Sequence, residues 1–96
     1  MNTMTDVSEV YRNAIERMGE GVYFFYDSET GKSYDMEVKC EKLGRESHRL
    51  YITEDSSRIY VNSPDFAGYI KELELVGVVQ LGIPYAKPSY VPLNFS

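Results

Sequence analysis

Residues 21–40 constrain the fold more than any other stretch, because they have the pattern of a β-hairpin. The second half of the stretch alternates strictly between apolar and charged residues, as a half-buried strand does. Tyr34, Met36, Val38 and Cys40 fall on one face, and the charged residues between them fall on the other. The second strand of the hairpin therefore has a core-facing side that the sequence alone defines.

The first strand of the hairpin is apolar at every position, so the turn must decide its register. Gly31 fits the left-handed bulge position of a three-residue loop, because glycine adopts positive φ without a steric penalty. Such a loop sets Ser28 opposite Lys32. The pairing that follows directs Tyr23 and Phe25 away from the core, onto the outer face of the sheet.

A second hairpin follows, with strands predicted at residues 48–53 and 58–62 and a tight turn between them. The side of this hairpin that faces the core carries Leu50, Ile52, Ile59 and Val61. The same register places Tyr51 opposite Tyr60 on the outer face, as a cross-strand aromatic pair.

Two helices are predicted on either side of the strands. Apolar residues recur at helical spacing over residues 7–18, and glycines follow directly. Ser63 and Pro64 form a strong start signal for a second helix, which we expect to run to about Leu75. Residues 78–83 are a candidate fifth strand.

The predicted fold class is α+β, in the order α-β-β-β-β-α with a candidate final strand. It is a four-stranded antiparallel meander, or a five-stranded one, with two helices on one face. A chain of 96 residues predicts one domain, 1–96, and the recurring prolines predict an extended tail over residues 84–96.

The charge balance limits the classes of partner. The formal net charge is −5, with 15 acidic and 10 basic residues, which argues against binding of nucleic acid through its phosphates. No apolar run is long enough to span a membrane, and no signal peptide is recognisable, so a cytoplasmic location is expected. Cys40 stands alone, which excludes an internal disulfide.

A search for chemistry-bearing motifs gives none that is specific. Ser47 and His48 are adjacent, and neighbours on a strand point to opposite faces, so they cannot act as nucleophile and base. Asp27 and Glu29 resemble the start of a calcium loop, but the remaining ligands are missing. We therefore predict no catalytic, cofactor-binding or metal-binding residues, no cofactor and no enzyme activity.

What remains is a surface rich in tyrosine, which occurs nine times in this chain. Tyrosine is enriched at protein interfaces because its ring is apolar and its hydroxyl is polar. The candidate partner-binding residues are Tyr23, Phe25, Asp35, Glu37, Tyr51, Tyr60, Tyr85 and Tyr90. We expect the C-terminal tail, a second copy or a partner protein to cover the aromatic part of this surface.

The composition favours a small acidic protein-binding module over the other classes. Inhibitors and antagonists of host enzymes or defence systems, of the kind that phages and mobile elements encode, share this profile, and they act by occluding a protein surface. One alternative is a module that binds single-stranded nucleic acid on an aromatic sheet face. A further alternative is a homo-oligomeric structural or accessory protein, including a homodimer.

Overall fold

The computed structural model describes residues 7–81 and 87–95. Its elements are α1 Val7–Met18, β1 Gly21–Asp27, β2 Lys32–Lys42, β3 His48–Glu54, β4 Ser57–Tyr60, α2 Pro64–Tyr69, β5 Glu74–Gln80 and β6 Tyr90–Pro92. The strands form a six-stranded sheet in the order β4-β3-β2-β1-β5-β6, and every pair is antiparallel. The predicted α+β class with an antiparallel sheet is confirmed.

The strand count and order differ from the prediction in the C-terminal third of the chain. The second helix begins at Pro64 as expected but ends at Tyr69, and β5 begins at Glu74, earlier than the predicted fifth strand. β5 pairs with β1 instead of extending the meander beyond β4. The last two residues of the predicted strand, 82 and 83, lie outside the described residues.

Both helices pack on the same face of the sheet. Tyr11 and Ile15 of α1 are buried in one apolar cluster with Phe66 of α2 and Ile70, the residue that follows it. The strand residues in this cluster are Tyr23, Phe25, Met36, Val38, Leu50, Ile52, Leu75 and Val78. We call the opposite face of the sheet, which neither helix covers, the outer face.

The predicted register of the first hairpin is wrong by one residue. Tyr23 pairs with Met36 and Phe25 pairs with Tyr34, so both aromatic side chains point into the core. Each is 0% exposed. The core-facing side of β2 is confirmed, because Met36 and Val38 are buried. The error is therefore confined to β1, and Tyr23 and Phe25 are not on the outer face.

The turn explains the error. Asp27, not Ser28, pairs with Lys32, which leaves residues 28–31 in the loop. The Asp27 carboxylate accepts a hydrogen bond from the backbone N–H of Glu29 at 2.9 Å, an aspartate turn that sequence reasoning overlooked. Because side chains alternate along a strand, one extra loop residue turns the whole of β1 over.

Gly31 nevertheless has the left-handed conformation that the sequence predicts, with φ of +75°. Its N–H donates to the Asp27 carbonyl at 2.8 Å and closes the loop. We expect Gly31→Val to destabilise the protein by more than about 1 kcal/mol, because a β-branched residue resists positive φ. Gly31→Asn should be much milder, and urea unfolding of both variants measures the difference. Equal stability of the two variants would contradict this conformation.

Candidate functional site: the outer face of the sheet

The eight candidate partner-binding residues fall into three groups: core residues, residues of the outer face, and one residue outside the described ranges. Tyr23 and Phe25 belong to the core, and Tyr85 lies outside the described residues. The residues that share the outer face are Asp35, Glu37, Tyr51, Tyr60 and Tyr90. The register correction adds Val22, Phe24 and Tyr26, which take the face that Tyr23 and Phe25 were predicted to occupy.

The β3–β4 end of the outer face carries the predicted tyrosine pair. Tyr51 and Tyr60 are direct cross-strand partners, and their ring centroids are 6.0 Å apart. The guanidinium carbon of Arg58 lies 4.2 Å from the Tyr51 ring centroid, and that of Arg49 lies 3.9 Å from the Tyr60 ring centroid. At such distances a guanidinium is attracted by the π-electrons of the ring. The aromatic pair is therefore partly covered by the chain's own arginines.

Glu41 joins these side chains into one cluster. Its carboxylate accepts a hydrogen bond from the Tyr60 hydroxyl at 2.9 Å. It also pairs with Arg58 at 3.0 Å and with Arg49 at 3.5 Å. The predicted hairpin ends at Cys40 and leaves Glu41 out, whereas β2 continues to Lys42 and brings Glu41 opposite Arg49. We call Glu41, Arg49, Tyr51, Arg58 and Tyr60 the arginine–tyrosine cluster.

The contacts of Glu41 in this cluster make the free energy of unfolding depend on pH under acid conditions. The hydrogen bond from Tyr60, followed by the charges of Arg58 and Arg49, lowers the pKa of Glu41 below its ordinary value of 4.5. A lowered carboxyl pKa stabilises the folded state above the unfolded pKa, and this contribution is lost as the pH falls through the folded pKa.

We therefore expect Glu41→Gln to reduce the loss of stability below about pH 4.5, relative to the unchanged protein. Urea unfolding at several pH values between neutral and acid conditions measures the effect. Glu46→Gln is the matched control, because Glu46 is an exposed residue in the loop between β2 and β3. An equal loss of stability with falling pH in the Glu41→Gln variant and the unchanged protein would contradict the expected role of Glu41.

The β5–β6 end of the outer face is apolar. The Tyr90 ring contacts the Phe24 ring with centroids 5.3 Å apart, and the Tyr90 hydroxyl donates to the Val76 carbonyl at 3.2 Å. The Tyr90 ring crosses Gly77, where a Cβ atom would overlap the ring. The absent side chain of Gly77 thus lets Tyr90 lie against the sheet.

The described residues of the C-terminal tail, 87–95, pack on the protein itself. β6 pairs with β5, and Leu93 joins the apolar cluster at its margin. The Phe95 ring lies 5.1 Å from the Tyr11 ring of α1. The described residues of the tail therefore add an edge strand to the sheet, and on the outer face they cover the Phe24 region.

His48 and possible metal ligands are the remaining candidates for reaction chemistry. His48 is exposed at the start of β3, without a nucleophile bonded to it. Within residues 7–81 and 87–95, no group of histidine, cysteine, aspartate and glutamate side chains could hold a metal ion. Neither helix in these ranges is long and apolar enough to cross a membrane.

Comparison with known proteins adds no further constraint. No protein-family model, curated protein or solved structure matches the chain. The function is therefore inferred from the residues of this chain alone.

Proposed function

We propose that this protein is a protein-binding module and that the outer face of its sheet is the contact surface. The observation that supports this most is that both helices pack on the other face of the sheet. Within residues 7–81 and 87–95, no helix covers the arginine–tyrosine cluster. Tyrosine and arginine are the side chains that most often dominate binding energy in protein interfaces. A rigid sheet also presents them without the entropy cost of ordering a loop.

The kind of activity we propose is occlusion: an inhibitor or antagonist that acts by covering a surface of a host enzyme or defence protein in the cytoplasm. The net charge of −5 supports a basic partner, because opposite charge raises the rate of encounter. Asp35 and Glu37 are exposed acids on the same face of β2 as Glu41, with Lys39 between them and the arginine–tyrosine cluster. The contact surface therefore combines a steering charge with aromatic anchors.

The test compares two arginine variants that change charge equally on opposite sides of the protein. Arg58→Glu alters the outer face, and Arg17→Glu alters the exposed side of α1. Each variant and the unchanged protein is immobilised and used to capture proteins from a lysate of the encoding organism or its host. Quantitative mass spectrometry then measures what each one retains.

We expect a partner that the unchanged protein and Arg17→Glu retain equally and that Arg58→Glu loses by about tenfold or more, the size of effect typical of an interface arginine. Urea unfolding of each variant checks that the fold persists. Equal retention by all three proteins, or a loss confined to Arg17→Glu, would contradict a contact surface on the outer face.

Binding of single-stranded nucleic acid is the second candidate, and the arginines on the aromatic outer face favour it. Two observations oppose it. Guanidinium groups already occupy ring surface that would stack on bases. The Glu41 carboxylate also pairs with both arginines and offsets part of their charge.

We therefore expect no appreciable binding of a labelled random single-stranded or double-stranded DNA at about 150 mM salt. Fluorescence anisotropy over a salt series measures this. Micromolar or tighter binding at that salt concentration would overturn the proposed function in favour of the second candidate.

A further inference from the structure

A cleft opens where β2 and β3 separate. β2 pairs with β1 over residues 32–38 but with β3 only over residues 39–42, and the pairing with β3 ends at Lys39 and Tyr51. The two strands diverge beyond that point and leave a cleft of about 650 Å³ between them. Its lining comes from β2 between Tyr34 and Lys39, from the end of β3 and from the end of α2 with the residues that follow it.

Along this cleft, the edge of β2 that faces away from β1 has no strand partner among the described residues. Leu43, which directly follows β2, donates its N–H to the Ser47 carbonyl at 2.8 Å. Because backbone groups alternate in direction along a strand, the odd-numbered residues of β2 direct their N–H and C=O groups toward β3. Asp35 and Glu37 have the same parity. No residue of β3 pairs with either of them, and their backbone N–H and C=O groups therefore face the cleft.

An unpaired strand edge is a template for another strand. The side chains around this edge specify what that strand would carry. Met36 and Ile52 are buried on the helix side of the cleft, with Leu73 partly buried beside them. Asp35 and Glu37 are exposed on the outer side. A strand added here would alternate apolar residues facing the core with residues facing the two acids.

The charges of the cleft favour a basic occupant. Asp35, Glu37, Glu54 and Glu72 outnumber Lys39 and Lys71 among the lining residues. Glu54 also accepts a hydrogen bond from the Tyr69 hydroxyl, which ties the end of α2 to the end of β3. A lysine or arginine directly opposite an acid on the same face of a strand pair is stabilising.

A second copy of this chain fits the edge poorly. Antiparallel pairing of two β2 strands centred on Asp35, Met36 or Glu37 would in each case set an acid of one copy directly opposite an acid of the other. Like charges in directly opposed positions destabilise a strand pair. The occupant is therefore a different sequence, and a basic one.

We infer that the cleft between β2 and β3 binds an extended segment of a partner protein as an added strand, and that this segment alternates basic and apolar residues. The inference rests on the proposed protein-binding function and supplies the chemistry of the partner at a site beside the outer face. Backbone hydrogen bonds to Asp35 and Glu37 give affinity, and the opposing charges set the register.

The test uses a synthetic peptide of seven residues, capped at both ends and labelled, that alternates lysine with valine. Two control peptides accompany it: one alternates glutamate with valine, and the other carries N-methyl groups on alternate backbone nitrogens that would face β2. Fluorescence anisotropy measures each peptide against the unchanged protein. It also measures the lysine peptide against the double variant Asp35→Asn, Glu37→Gln and the matched variant Glu9→Asn, Glu16→Gln on α1.

The expected result is binding of the lysine peptide, reduced about tenfold or more by N-methylation and by the β2 double variant, but unchanged by the α1 variant. No binding of the lysine peptide, equal binding of the glutamate peptide, or insensitivity to N-methylation would overturn the inference. The proposed function is tested separately through Arg58→Glu. Partner loss in that variant, together with a peptide that does not bind, would overturn only the assignment of the cleft.

Discussion

Phe25→Ala is expected to destabilise the protein by about 3–5 kcal/mol, as measured by urea unfolding. The Phe25 side chain is 0% exposed, and its ring lies 6.4 Å from the Tyr11 ring of α1. Truncation would leave a cavity between the sheet and the first helix. Since a small domain has a total stability of about 5–15 kcal/mol, the variant should be near the limit of folding.

Phe24→Ala is the matched control, because it removes the same atoms from the next residue on the opposite face. Phe24 is partly exposed and loses its edge contact with the Tyr90 ring, so a cost below about 2 kcal/mol is expected. If Phe24→Ala proved the more damaging of the two, β1 would have the register in which Tyr23 and Phe25 face outward. The outer face would then contain Tyr23 and Phe25 instead of Val22, Phe24 and Tyr26.

Ile70→Ala is expected to cost about 2–5 kcal/mol in the same measurement. Ile70 is 0% exposed and directly follows α2, which spans only Pro64–Tyr69. So short a helix has no stability of its own in water, and packing must hold it. Phe66 and Ile70 are the buried residues that attach this segment to the sheet.

Lys71→Ala is the control for this prediction, since Lys71 is the exposed neighbour of Ile70. A cost below about 0.5 kcal/mol is expected for it. Similar costs for the two variants would mean that the end of α2 is not anchored in the core. The residues on either side of Ile70, which line the cleft between β2 and β3, would then also be misplaced.

The sequence predicted those elements in which the pattern of side chains allows one solution. The apolar stripe of α1, the alternation around Met36 and Val38, and the Tyr51–Tyr60 pair all have a single register that buries the apolar residues. β1 has no such pattern, because both of its faces are apolar. Its register depended on the turn alone, where the side chain of Asp27 added one residue to the loop.

The candidate site was predictable only in part, for related reasons. Tyr51, Tyr60, Asp35 and Glu37 follow from local alternation along their strands. Glu41 depends on how far β2 continues, and the cleft depends on where β2 leaves β3. Both are consequences of strand lengths and twist across the whole sheet, which no local pattern in the sequence specifies.

Site-specific photo-crosslinking tests the central claim, that the outer face is the contact surface, most directly. A photoreactive phenylalanine analogue is placed at Lys39 or Thr53 on the outer face, or at Asn13 or Glu16 on the exposed side of α1. Each protein is irradiated with the partner that the capture experiment identifies. Covalent adducts from the outer-face positions and none from α1 are the predicted result. Adducts from the α1 positions alone would contradict the claim.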